Sequence, residues 1–299
     1  MTNGPIYGRI VVMKTLYLIQ LYCAVCQSYD NIVSAENQRL SNNSRPKFTD
    51  EECLTIYLFG IVEGKFEQKA IYQFILDYFP GWFPALPSYQ KFNYRVNRLS
   101  SALLGLCGLM MNEMEIDETV LTHVLDSFPV VVAKGSRSGR AKAVSELCNK
   151  GYCDSKKMWY YGIKVHVLAR KQLGKMPVLR GFEVSPASCH DLTAAKPMLA
   201  ECYNFDLAAD KAYCDAAWFE ELAARGIRLF TPRKAAKGES PGCDCVSTFV
   251  ASERQPIESL FNWINEKTKI ESASKVRSLN GLVAFIAVRL AAVALIFYS

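Results

Sequence analysis

Three carboxylates stand where apolar elements would ordinarily exclude them. Asp126 interrupts the run His123-Val-Leu-Asp-Ser-Phe-Pro-Val130, and Asp210 follows the apolar stretch Phe205–Ala209 at a strand-to-helix turn. Glu258 borders the apolar helix face formed by Ile257, Leu260, Phe261 and Ile264, with Arg254 one turn earlier on the same side. An unpartnered buried carboxylate is costly, so such acids bind metal or find a cationic partner. Three of them from different elements, if convergent, would hold hard divalent cations through oxygen ligands. Taken singly, each also reads as a cap, a surface acid or an ion-pair partner.

Other residues invite chemistry with less force. His190 and Asp191 stand where a strand would give way to a helix and are expected to shape that turn. His166, at strand spacing from Lys164, reads as packing or as a DNA-backbone contact. Cys23 and Cys26, Cys148 and Cys153, and Cys243 and Cys245 lack a second well-spaced pair nearby, and only His123, His166 and His190 are available to complete a site. Zinc is therefore not expected. The segment Lys134-Gly-Ser-Arg-Ser-Gly-Arg-Ala-Lys142 is different: four bases among small residues can wrap phosphates without reading sequence. A solvated loop is the alternative there.

The elements that would position these groups alternate along the second half. Strands are expected at 120–133, 160–168, 177–184, 205–209 and 227–232, with helices from Asp191 to about Leu199, around 216–225, and from Ser252 to about Lys269. A loop is expected at 234–252. This order implies a mixed sheet covered by helices, an α/β (α+β) architecture. The first half reads as helical. Thr49-Asp-Glu-Glu52 is a capping box, and a helix near the start would bury Leu16, Ile19, Tyr22 and Cys23. The helix beginning at Ser88 carries Gln90, Lys91, Asn93, Tyr94, Arg95 and Arg98, a surface that would suit helix-turn-helix reading of DNA or, equally, the polar side of a bundle. Domains are expected at 1–115 and 116–299.

The ordered set of motifs resembles the DDE-type transposases of bacterial insertion sequences. The matching text is Leu125-Asp126-Ser-Phe-Pro-Val, Tyr160-Tyr-Gly-Ile-Lys-Val-His166, Pro186-Ala-Ser-Cys-His190-Asp191, Ala209-Asp210-Lys-Ala-Tyr213 and Arg254-Gln-Pro-Ile-Glu258-Ser-Leu-Phe. The resemblance covers about 120–265 closely. It implies a ribonuclease H-like catalytic domain, preceded by an all-helical domain, in which Asp126, Asp210 and Glu258 hold two Mg²⁺ ions, with Mn²⁺ able to substitute. It further implies cleavage at transposon ends and strand transfer into target DNA, with terminal inverted repeats and target DNA as partners and a homodimer as the active complex. Lys134, Arg137, Arg140, Lys142, Lys164 and Arg254 are the expected DNA contacts. One departure concerns a base that many relatives carry two turns after the Glu; Asn265 stands there, with Lys267 nearby. A nuclease without strand joining and an inactive DNA-binding remnant are the alternatives.

Charge and composition fit that expectation. The 299-residue chain carries a net charge of +6, and all of the excess lies in residues 116–299. Between Lys134 and Lys171 ten basic residues face only Glu146 and Asp154, which favours a polyanionic partner. Half the residues are hydrophobic, which excludes a wholly disordered chain. Eleven scattered cysteines fit a reducing cytoplasm, here at the bacterial nucleoid, rather than a disulfide scaffold. Near the start, Gln20 interrupts an apolar stretch that otherwise imitates a signal peptide, and either Met1 or Met13 could begin the protein. Residues 282–298 are apolar but only 17 long, with Arg289 at the middle; a buried core helix is expected rather than a membrane span.

Overall fold

The computed structural model describes residues 5–32, 46–232 and 245–297, with side chains from Met13 onward. The chain divides into two compact units: Met1–Met110 with Ser278–Ser299, and Met111–Arg277.

The first unit is helical: α1 (Pro5–Ile32), α2 (Asp50–Val62), α3 (Gln68–Tyr78), α4 (Tyr89–Arg98), α5 (Ser100–Asn112, running just past the unit's boundary) and the C-terminal α9 (Leu279–Phe297). The capping box at Thr49 forms as expected: the Glu52 amide donates to the Thr49 hydroxyl, and the Thr49 amide donates to the Glu52 carboxylate at 2.7 Å. The buried stripe of α1 differs from the expected one. Leu18, Leu21, Val25 and Ile32 are buried, while Leu16, Ile19, Tyr22 and Cys23 are exposed. Apolar residues occur all around this helix, so two rival stripes satisfy helical spacing, and packing chose the other one. Asp50 ties three helices together, accepting from Tyr29 of α1 at 2.8 Å and from the Arg95 guanidinium of α4. In α4, Phe92 and Val96 are buried while Gln90, Lys91, Tyr94 and Arg98 are exposed. The ten residues 79–88 joining α3 to α4 are longer than the 3–4-residue turn of a helix-turn-helix.

The helix α9 is a buried core helix, as expected, but it groups with this helical unit rather than with the sheet. By length and composition it could cross a membrane; the burial of Leu282 and of Ala284 to Ala294 is what a core helix requires. Arg289 is only 1% exposed, and it is satisfied locally. Its guanidinium donates to the Phe285 and Phe66 carbonyls at 3.1 and 2.7 Å and lies 3.5 Å from the Phe285 ring centroid.

The second unit holds a six-stranded mixed sheet: β1 (Thr122–Lys134), β2 (Asn149–Cys153), β3 (Met158–Gln172), β4 (Lys175–Pro186), β5 (Asp206–Ala209) and β6 (Arg228–Phe230). The order is β2-β3-β1-β5-β6, with β4 also paired to β3. The β1–β3 and β3–β4 pairs are antiparallel; β5 runs parallel to β1, and β6 parallel to β5. Three antiparallel strands followed by two parallel crossovers are consistent with a ribonuclease H-like fold. The helices are α6 (Asp191–Met198), α7 (Ala216–Ala224) and α8 (Cys245–Thr268).

Strand alternation decides which residues meet which helix. Leu125, Leu207 and Ala209 join Ala195 and Leu199 and then Trp218 and Leu222 in one buried cluster, so these positions face α6 and α7. Their neighbours face α8, where Phe128 meets Phe261 edge-on at 4.9 Å between ring centroids. Two differences from expectation stand out. The strand β2 was not anticipated, and α8 begins at Cys245, so residues 245–251 are helix rather than loop; residues 233–244, including Cys243, lie outside the described residues.

Candidate active site

Parallel pairing of β1 with β5 sets Leu125 opposite Ala209. The next residue on each strand is an acid, so Asp126 and Asp210 stand side by side at the carboxyl end of the parallel pair. This is where open α/β sheets present their ligand-binding groups. By alternation both acids face α8, and α8 supplies a cation between them. Arg254 donates from Nη2 to Asp126 Oδ2 at 2.8 Å, and its Nη1 lies 3.6 Å from Asp210 Oδ1. Backbone amides hold the same carboxylates: the Ser127 amide donates to the other Asp126 oxygen, Oδ1, at 2.8 Å, and the Lys211 amide donates to Asp210 Oδ1 at 2.6 Å. The Asp210 carboxylate thereby caps the short 3-10 turn Lys211–Tyr213.

Burial pushes the Asp126 carboxyl above its ordinary value, and the Asp210 charge adds to the rise. The Arg254 guanidinium and the Ser127 amide oppose it. A second cationic charge near these oxygens would relieve the same electrostatic tension.

Glu258 follows Arg254 by one turn of α8 on the same side but is exposed. Among the described residues no three His, Cys, Asp or Glu side chains converge as a ligand cluster. Two of the three expected acids are thus brought together, and the third lies on the neighbouring helix. The oxygen donors nevertheless suit a hard divalent cation, since Asp126 and Asp210 already share one positive group.

On the other face of the sheet lies a polar knot whose members the sequence assigns separately: His190 and Asp191 to a turn, His166 to packing or DNA-backbone contact, and Lys164 to DNA. His190 caps α6, its ring accepting from the Leu192 amide at 3.3 Å. Asp191 accepts from Lys164 Nζ at 2.6 Å and from the Ser127 hydroxyl at 3.4 Å. His166, opposite Ser127 in the β1–β3 register, pairs with the Ser185 hydroxyl at 2.8 Å and is fully buried. Desolvation holds its ring below its ordinary value, against the pull of Asp191. Lys164, an expected DNA contact, is therefore engaged with Asp191. The signal for this knot was present: Ser127, Lys164 and His166 fall on one sheet face once the register is known. The Tyr213 hydroxyl, buried in the cluster packed against α6 and α7, finds no hydrogen-bond partner among the described residues. Burial chiefly, and the charges of Asp191, Asp126 and Asp210 with it, keep it protonated.

The four bases of the segment after β1 are exposed: Lys134, Arg137, Arg140 and Lys142 make no ion pair among the described residues. A 3-10 turn at Gly135–Arg137 opens it, with Gly135 at φ +61° where a side chain would be strained.

Comparison with known proteins agrees with this geometry. The family described as "Transposase DDE domain" matches residues 121–295, which include Asp126, Asp210 and Glu258. The comparisons with curated proteins and with solved structures gave no match. With more than half its length matched, the chain belongs to the DDE transposase domain family.

Proposed function

We propose that this protein is a transposase that cleaves DNA at transposon ends and joins the freed 3′ ends to target DNA. The observation that carries the reading is the adjacent pair Asp126, within β1, and Asp210, just past the end of β5, sharing one cationic group. Asp126, Asp210 and, from α8, Glu258 would hold two divalent cations, Mg²⁺ or Mn²⁺. Such ions, when bound, supply Lewis acidity at the scissile phosphate and favour ionisation of the attacking hydroxyl.

The chain's own groups do the rest. The amides of Ser127 and Lys211 fix the orientation of the two carboxylates beside Arg254 of α8. Arg254, a planar fork matched to phosphate as well as carboxylate, is placed to hold a DNA phosphate beside the acids. The exposed bases of Lys134–Lys142 hold the duplex through its backbone, which positions DNA without reading its sequence. No side chain is needed as a covalent nucleophile, because water and then a 3′ hydroxyl attack in turn. Two copies acting on two ends, in a reducing DNA-bearing compartment, complete the proposal.

A nuclease of the same fold would cleave without joining. Supplying pre-nicked transposon ends with a free 3′ hydroxyl, plasmid target and Mg²⁺ tests the difference: joined strands are expected. Cleavage with no joined product under any divalent cation would overturn the transposase reading in favour of the nuclease.

A further inference from the structure

The hairpin formed by β2 and β3 carries a surface that the catalytic reading leaves unused. Tyr152 and Trp159 are register partners across it, with ring centroids 5.1 Å apart at an interplanar angle of 54°. Both are exposed, at 43% and 56%. The opposite side of β2 is packed tightly, because a Cβ on Gly151 would meet the Ala187 carbonyl at 2.4 Å. The aromatic pair therefore sits on the open side of an anchored hairpin. A cross-strand ring pair steadies a hairpin by itself, but that role does not require more than half of a Trp to face solvent.

The surroundings indicate what covers the rings. Lys150, on the same side of β2, places its ammonium 4.8 Å from the Trp159 ring centroid. Lys157 is exposed in the hairpin turn, and Lys156 pairs with Glu271. Lys134 is the β1 partner of Tyr160, so the basic segment Lys134–Lys142 begins beside this hairpin, although strand alternation turns Lys134 itself to the face opposite Trp159. From Lys134 to Trp159 seven basic residues face two acids. Two aromatic faces amid that excess match a nucleic-acid strand: bases for the rings and phosphates for the ammonium groups. Bases inside a duplex are stacked on each other, so only an unpaired one can use the rings.

On the premise that the partner is DNA, we infer that the Tyr152–Trp159 pair is a stacking platform for an unpaired base of the bound DNA. The β1–β3 register gives its place along the substrate. Asp126 pairs with Val167, eight residues along β3 from Trp159, which at about 3.3 Å per residue is ~26 Å. For DNA running along β3, that span corresponds to about eight nucleotides at the ~3.4 Å rise of a duplex strand.

The test uses the full chain, a fluorescein-labelled 20-nucleotide single strand and the corresponding duplex, each at several salt concentrations. Trp159→Ala is expected to weaken single-strand binding about 5- to 150-fold. Duplex binding should change less than about twofold, and the salt slope should stay the same, because stacking releases no counterions. DNA is expected to quench the tryptophan fluorescence of the unmodified chain, and Trp159→Phe should retain most of the affinity but lose that quenching. That second variant decides the matter if the alanine protein folds poorly. Equal loss on single strand and duplex by a folded Trp159→Ala protein, no loss at all, or unchanged quenching in Trp159→Phe would each overturn the inference. So would displacement by polyglutamate but not by single-stranded DNA, which would mark an acidic protein surface as the occupant. Joining assays fail or succeed independently of this binding readout, so the platform and the transposase reading can fall separately.

Discussion

Arg254 carries the electrostatic balance of the site. It pairs with Asp126, whose carboxyl burial and the neighbouring Asp210 charge push upward, and its other nitrogen faces Asp210. Arg254→Ala should therefore destabilise the second unit by about 1–3 kcal/mol, less than the cost of breaking a fully buried pair, because the site is partly open. Urea unfolding reads this directly. Added Mn²⁺ should restore part of that stability in Arg254→Ala, because a metal cation can then take the guanidinium's place between the acids. Buried His166 and half-buried His123 make a separate prediction. Desolvation holds His123 down at about 4 from 6.5, and holds His166 below 6.5 as well. Both rings stay neutral in the fold and gain protons on unfolding below pH 6.5. Their contribution to stability is full above pH 6.5 and is lost as pH falls toward about 4. His166→Gln should flatten that part of the curve of unfolding free energy against pH; an unchanged slope would mean the ring is protonated in the fold.

At the scale of elements, local chemistry and long-range pairing divide what the sequence discloses. The capping box at Thr49 was legible because all of its partners lie within four residues. Thr49→Ala should cost about 1 kcal/mol, seen as a lowered urea midpoint at constant slope. The strands bearing Asp126 and Asp210 were legible because apolar runs bracket each acid. The strand β2 was not: Asn149-Lys-Gly-Tyr-Cys153 lacks apolar alternation, and its pairing with β3 makes it a strand. The face of α1 was misread because two stripes are equally apolar. The early start of α8 was hidden by Ser247 and Thr248, residues that favour loops until packing of Val250 overrides them. At the site, the acids were visible as types, whereas the Arg254 bridge and the Asp191 knot depend on register and sheet face. Neither is expressed in any local spacing.

For the molecule as a whole, charge placement is the functional argument. The excess of base is confined to residues 116–299, and four exposed bases follow the strand that carries Asp126. Replacing Lys134, Arg137, Arg140 and Lys142 with Gln should weaken binding to transposon-end and random DNA alike. It should also lower the slope of log affinity against log salt by ~0.9 for each phosphate no longer neutralised. Reduced discrimination at constant slope would instead show base reading. The α9 helix, by contrast, belongs to the scaffold. Arg289→Met would keep much of the side-chain volume but leave the Phe66 carbonyl without this donor, costing roughly 1–3 kcal/mol of stability and no DNA affinity.

The central claim is that Asp126 and Asp210 together serve the phosphoryl chemistry rather than the fold. The most direct measurement is strand joining by Asp126→Asn and Asp210→Asn, alongside their DNA affinity and urea midpoints. Both variants keep the shape of the side chain and remove its charge. The account predicts that each abolishes joining, by at least a thousandfold as an order-of-magnitude expectation for losing a group that acts at the reacting phosphate, while DNA affinity and folding are retained. Joining within tenfold of the unmodified chain by either variant would contradict it.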